Sequence, residues 1–165
     1  MFTHQGDHYA DQFGVTTRPG RPPRALRALP PDWTLVRSGP LRGTDRWLLV
    51  GPGGGALVTF LPYRGRVVAG PEHVSRSGRR TTDAGTCRDA GWLMSAWLTD
   101  LADAYVPANP VLTVPSGARP MNAGGPPIGY DLIRSSRLPQ WLLMLPQVMP
   151  RQDARQLARV ATTSD

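Results

Sequence analysis

The stretch Asp45-Arg46-Trp47-Leu48-Leu49-Val50-Gly51-Pro52-Gly53-Gly54-Gly55-Ala56-Leu57-Val58-Thr59-Phe60-Leu61-Pro62-Tyr63-Arg64-Gly65-Arg66-Val67 decides the fold. Trp47 to Val50 is a short apolar run, too short for a helix. Gly51 to Gly55 is a turn. Ala56 to Leu61 is apolar at both parities, as in a strand covered on both faces at the centre of a sheet. Two strands joined by a short glycine-rich turn form an antiparallel hairpin. If the second strand is regular, Thr59 and Leu61 share one of its faces. A phosphate-binding loop would need a helix after the glycines and, in its Walker form, a lysine. A strand follows instead, and the chain holds no lysine at all.

Outward from the hairpin, Trp33 to Arg37 alternates as a strand and stops at Ser38-Gly39-Pro40. Residues 1–28 read as a disordered Pro/Arg-rich tail ending in Arg18-Pro19-Gly20-Arg21-Pro22-Pro23-Arg24, with one possible turn from Ala25. Downstream, Arg66 to Ala69 is a fourth strand that His73 to Ser75 could continue. From Cys87 to Tyr105 the period becomes helical, with Ala90, Leu93, Trp97, Leu101 and Ala104 on one face, and Asp83 or Thr86 is placed to cap it. Val111 to Val114 is a buried strand, Pro115 to Pro127 a loop, and Ile128 to Ile133 a last strand. Leu138 to Leu145 and Gln152 to Ala161 read as helices. The order predicts one mixed α/β domain over residues 29–161 with one central sheet, and a short tail at 162–165. Trp33, Trp47, Trp92, Trp97 and Trp141 all fall in these elements and are expected as core or half-buried anchors.

A chain of 165 residues suits one domain, and its 18 Gly and 18 Pro exclude a long helical bundle. A single cysteine excludes a disulfide framework and a cysteine-based zinc site. All 19 basic residues are arginine, so no lysine nucleophile or base exists, and every cation is a guanidinium suited to phosphate. The charge is uneven. Residues 18–80 carry 12 Arg against Asp32, Asp45 and Glu72, whereas residues 81–165 carry 7 Arg against 7 Asp. A basic N-terminal half points to an anionic partner such as a nucleic-acid backbone. No apolar run approaches the roughly 18 residues of a membrane span, and the first residues hold no apolar leader. The expectation is a cytoplasmic protein with no membrane partner.

Catalytic signatures are sparse. His4 and His8 have a metal-ligand spacing, but Gly6 lies between them in a segment without helical periodicity, which favours a tail. His73 reads as a surface strand residue. Cys87 near a helix start could have a lowered thiol pKa, but no His stands beside it in sequence, which favours a small half-buried residue.

The hairpin, with its Gly-Pro-Gly-Gly turn and closing Tyr63-Arg64-Gly65, resembles the nuclease-related domain (NERD) family. Leu29-Pro30-Pro31-Asp32-Trp33, Pro110 to Val114, and Leu138-Pro139-Gln140-Trp141-Leu142 with Pro146 and Val148-Met149-Pro150 resemble its flanking segments in the same order, over about residues 29–161. The resemblance implies a restriction-endonuclease-like mixed sheet with an N-terminal strand hairpin, flanked by helices. In active members two acids hold Mg²⁺ beside a lysine. Here the family's acid, acid and lysine positions are Arg46, Thr59 and Leu61, with Asp45 one residue out of step. A one-residue shift turns a strand side chain to the other face. The expectation is therefore a non-catalytic member with no cofactor. It would bind DNA or RNA phosphates through Arg42, Arg46, Arg64 and Arg66, or act as a scaffold for another protein. The alternative is an active Mg-dependent nuclease rearranged around Asp45, with Asp83 as a second acid.

Overall fold

The computed structural model describes residues 22–37, 40 and 46–164. Among them are nine strands and three α-helices, arranged as two mixed sheets. The larger sheet holds β1 (Thr34–Val36), β2 (Arg46–Gly51), β3 (Gly54–Phe60), β7 (Ala108–Val114) and β9 (Asp131–Arg134), in that spatial order. β1, β2 and β3 are antiparallel neighbours, and β7 and β9 continue the sheet in parallel. The smaller sheet runs β6 (Arg79–Arg80), β5 (Val74–Arg76), β4 (Arg66–Ala69), β8 (Arg119–Asn122). Helix α1 (Asp83–Ala102) links β6 to β7; α2 (Leu138–Met144) and α3 (Arg151–Thr163) follow β9.

The apolar residues at both parities of β2 and β3 explain the layering. Leu48, Val50 and Leu57 meet Ala90, Met94 and Leu98 of α1 and Leu157, Ala158 and Ala161 of α3. Leu49, Ala56 and Val58 point the other way, onto Trp33, Leu26, and Leu138 and Leu142 of α2. The central strands are thus covered on both sides, as their continuous apolar runs require.

The glycine run is more than a turn. Pro52 and Gly53 form a two-residue loop between the paired Gly51 and Gly54. Proline cannot take the positive φ of a primed turn, and the positive φ falls on Gly54 at 92°. The other glycines admit neighbours. A Cβ on Gly51 would lie 2.4 Å from the Trp33 ring, and one on Gly54 2.6 Å from the Pro107 carbonyl. The chain closes over the turn: Gly55 N–H donates to Pro107 O at 2.8 Å, and Val148 N–H to Pro52 O at 2.8 Å.

Several expectations need correction. The molecule has a second sheet where one was expected. Ser77 and Gly78, both at positive φ, turn β5 back into β6, a type I′ hairpin signalled by the Ser-Gly pair. The expected loop Pro115–Pro127 contains β8, an edge strand that tolerates Pro120 for that reason. α1 starts at Asp83, not Cys87, and its most buried face is Cys87, Ala90, Met94 and Leu98; Leu93, Trp97 and Leu101 pack only at the margin. No side chain caps α1 at its N-cap, Thr82. Trp92 is not an anchor, being 80% exposed. Leu26 is buried, so packing begins before Leu29, and α3 extends to Thr163. Residues 1–21, with His4 and His8, lie outside the described residues.

Candidate functional site

Two places hold the residues singled out by sequence. The first is the crevice where the C-terminal end of β3 meets the N-terminal turns of α1. Arg46 stands opposite Thr59 across the β2–β3 ladder. Thr59 shares its parity with Leu57 and Leu61, both of which pack toward α1; Leu61 lies just beyond the end of β3. Leu61 is buried among Val67, Ala84, Cys87 and Leu112. Asp45, the stray carboxylate, and Arg42 lie outside the described residues.

The electrostatics of this crevice are those of an apolar joint. Burial pushes the Cys87 thiol up to about 12; Arg46 opposes the shift and Asp83 reinforces it. The less favoured reading, a lowered thiol pKa, does not hold, because desolvation of the thiolate outweighs the nearby guanidinium groups. Thr59 Oγ1 is buried without a partner of hydrogen-bonding geometry, and the Cys87 thiol is the group close enough to feel it. Asp83 accepts a hydrogen bond from Tyr63 OH at 2.8 Å. Burial and that carboxylate push the Tyr63 phenol up to about 12, while Arg76 stacks on its ring at 4.8 Å. Among the described residues no three His, Cys, Asp or Glu side chains gather to hold a metal.

The second place is the small sheet. Val67, Ala69 and Val74 face inward to the joint. The opposite face carries Arg66 on β4, Arg80 on β6 and Arg119 on β8, all exposed, with Val68, Ser75 and Met121 between them. Arg66 and Arg119 are direct cross-strand neighbours, and so are Arg76 and Arg79. Exposed Arg64 precedes the sheet. None of Arg64, Arg66, Arg79, Arg80 and Arg119 forms an ion pair among the described residues. The outer face therefore brings Arg66 to two arginines that sequence reasoning did not single out, Arg80 and Arg119, whereas Arg76 and Arg79 alternate onto the side of Val67. The Ser-Gly turn was a readable signal for Arg80. Arg119 had none, because its strand has no apolar alternation. Arg46 belongs to the crevice, where its Nε is buried.

No family model, no curated protein and no solved structure matches the chain. No helix among the described residues is long and apolar enough to cross a membrane.

Proposed function

We propose that this protein is a non-catalytic, nuclease-related chain that holds a nucleic-acid backbone on the outer face of its small sheet. The observation that carries the reading is that the outer face holds Arg66 and Arg119 as like-charged cross-strand neighbours, with exposed Arg80 on the same face. Like charges directly opposite in a sheet destabilise it. A bridging phosphate removes that cost and supplies charge-assisted bonds to both guanidinium groups. Supporting the fold half of the reading is the strand order of the large sheet. An antiparallel trio β1–β2–β3 is extended through α1 by parallel β7, the arrangement a restriction-endonuclease-like mixed sheet calls for. Arg46, Thr59 and Leu61 stand where the resemblance puts acid, acid and lysine, so the crevice offers no carboxylate pair for Mg²⁺.

Contacts of this kind are to phosphate and carry no base information. Binding is expected to be indifferent to sequence and to weaken steeply with salt. The test is fluorescence anisotropy with a labelled DNA duplex and its RNA counterpart, with cleavage followed on gels in Mg²⁺ or Mn²⁺. Binding without cleavage, lost when Arg66, Arg80 and Arg119 are changed together to Ser, supports the proposal. Cleavage that vanishes with Asp45→Ala would instead restore the Mg-dependent nuclease.

A further inference from the structure

A further depression lies on the outer side of α1, on the far side of that helix's buried face. It is an open groove of about 810 Å³ between the outer side of α1, the start of β7 and the segment leading into β9. Its lining is unlike the rest of this basic protein. Trp92 is 80% exposed and Tyr105 78% exposed, and both line it, with Pro107, Pro110 and Tyr130 adding flat apolar walls. Large aromatic rings left this open on the surface of the chain mark an interaction site. Asp100 and Asp131 are its acids, both exposed. Asp131 uses one carboxylate oxygen to accept from Trp141 Nε1 at 2.8 Å. Its cation, Arg88, is committed to the Ile128 and Glu72 carbonyls at 3.2 and 3.3 Å.

We propose that this groove docks an extended, proline-rich peptide that carries arginine. Three features of the groove select that partner over other occupants. Ridged aromatic walls take the rings of a polyproline II helix, whose stiffness lowers the entropy lost on binding. Exposed carboxylates with no guanidinium of their own pair with an arriving arginine, and the same carboxylates reject a phosphate backbone. Tyr and Trp supply contact area with few rotamers to freeze. The site is independent of the arginine sheet, so either proposal stands if the other fails.

The test uses the full chain and three labelled peptides at physiological ionic strength. Each contains three triplets: Pro-Pro-Arg, Ala-Ala-Arg or Pro-Pro-Glu. Anisotropy should report binding of the Pro-Pro-Arg peptide only. Trp92→Ala, and separately Tyr105→Ala, should each weaken it about tenfold, the loss expected of a central aromatic anchor. Both side chains are exposed, so circular dichroism should stay unchanged. Asp100→Asn with Asp131→Asn should erase the preference for Pro-Pro-Arg over Pro-Pro-Glu, since Asn at 131 can still accept from Trp141. The proposal is overturned if no peptide binds, or if Ala-Ala-Arg binds as well as Pro-Pro-Arg. It is also overturned if the aromatic variants change nothing. A chain that is dimeric in solution and made monomeric by Trp92→Ala would assign the groove to a second copy instead.

Discussion

The large sheet and the small sheet solve opposite problems with adjacent stretches of one chain. β2 and β3 have apolar residues at every position from Leu48 to Val50 and from Ala56 to Val58, and are buried under helices on one face and under Trp33 and α2 on the other. β4, β5, β6 and β8 bury one side only, through Val67, Ala69 and Val74, and offer arginines on the other. The first sheet stabilises the molecule and has little chemistry to offer. The second contributes less burial and keeps like charges adjacent, an arrangement that makes physical sense when an anion joins it. The contrast separates a scaffold from the surface proposed to bind within one fold.

The contrast breaks first in stability. Leu57→Ala removes a fully buried side chain between α1 and β3. It should cost about 2–5 kcal/mol, read as a lowered urea midpoint. Val68→Ala, on the half-exposed face of the small sheet, should cost less than about 1 kcal/mol. Comparable losses would mean that the small sheet is as structural as the large one.

The joint between the sheets should give the next largest effect. Below pH 9 the Cys87 thiol is protonated whether the chain is folded or not. Between 9 and about 12 only the unfolded chain ionises it, so stability should fall through that window. A tenfold difference in proton affinity between the folded and unfolded chain corresponds to about 1.4 kcal/mol. Tyr63 titrates in the same direction and contributes part of the fall. Cys87→Ala should flatten the slope of stability against pH above 9, whatever it does to stability at neutral pH. An unchanged slope would place the thiol in contact with water.

The smallest expected effect is on the stability of the arginine face itself. Arg66→Ser with Arg119→Ser should leave the urea midpoint nearly unchanged or slightly raised, by about 0.5 kcal/mol, because the pair repels across the β4–β8 ladder. A clear loss would show that these side chains support the sheet through their stems.

How far this was legible depends on which physical signal each part uses. The hairpin announces itself through continuous apolar runs and Gly-Pro-Gly, and its strands fall within a residue or two of their reading. The glycines were legible as a turn but not as the seat for Trp33 and Pro107, because a contact between distant segments leaves no local pattern. α1 was recognised, but its inner face is rotated by about one residue: Met94 and Leu98 win the core, and Trp92 is left outside on the groove. Periodicity alone does not choose between overlapping apolar stripes. The small sheet was half visible. β4 is a short apolar run, whereas β6 and β8 are short, charged edge strands, whose lack of hydrophobic pattern is what protects such edges. Arg119 therefore reached the site only through long-range pairing with β4.

The measurement that bears most directly on the central claim is the salt dependence of nucleic-acid binding, compared between the wild-type chain and the Arg66→Ser, Arg80→Ser, Arg119→Ser variant. For duplex DNA the log–log slope is about −0.9 for each phosphate neutralised. The wild type should bind with a steep slope and no sequence preference. The triple variant should flatten that slope by about one for each phosphate that is no longer neutralised. A variant that binds with the same affinity and the same slope would contradict the account and move the anion-binding surface off the small sheet.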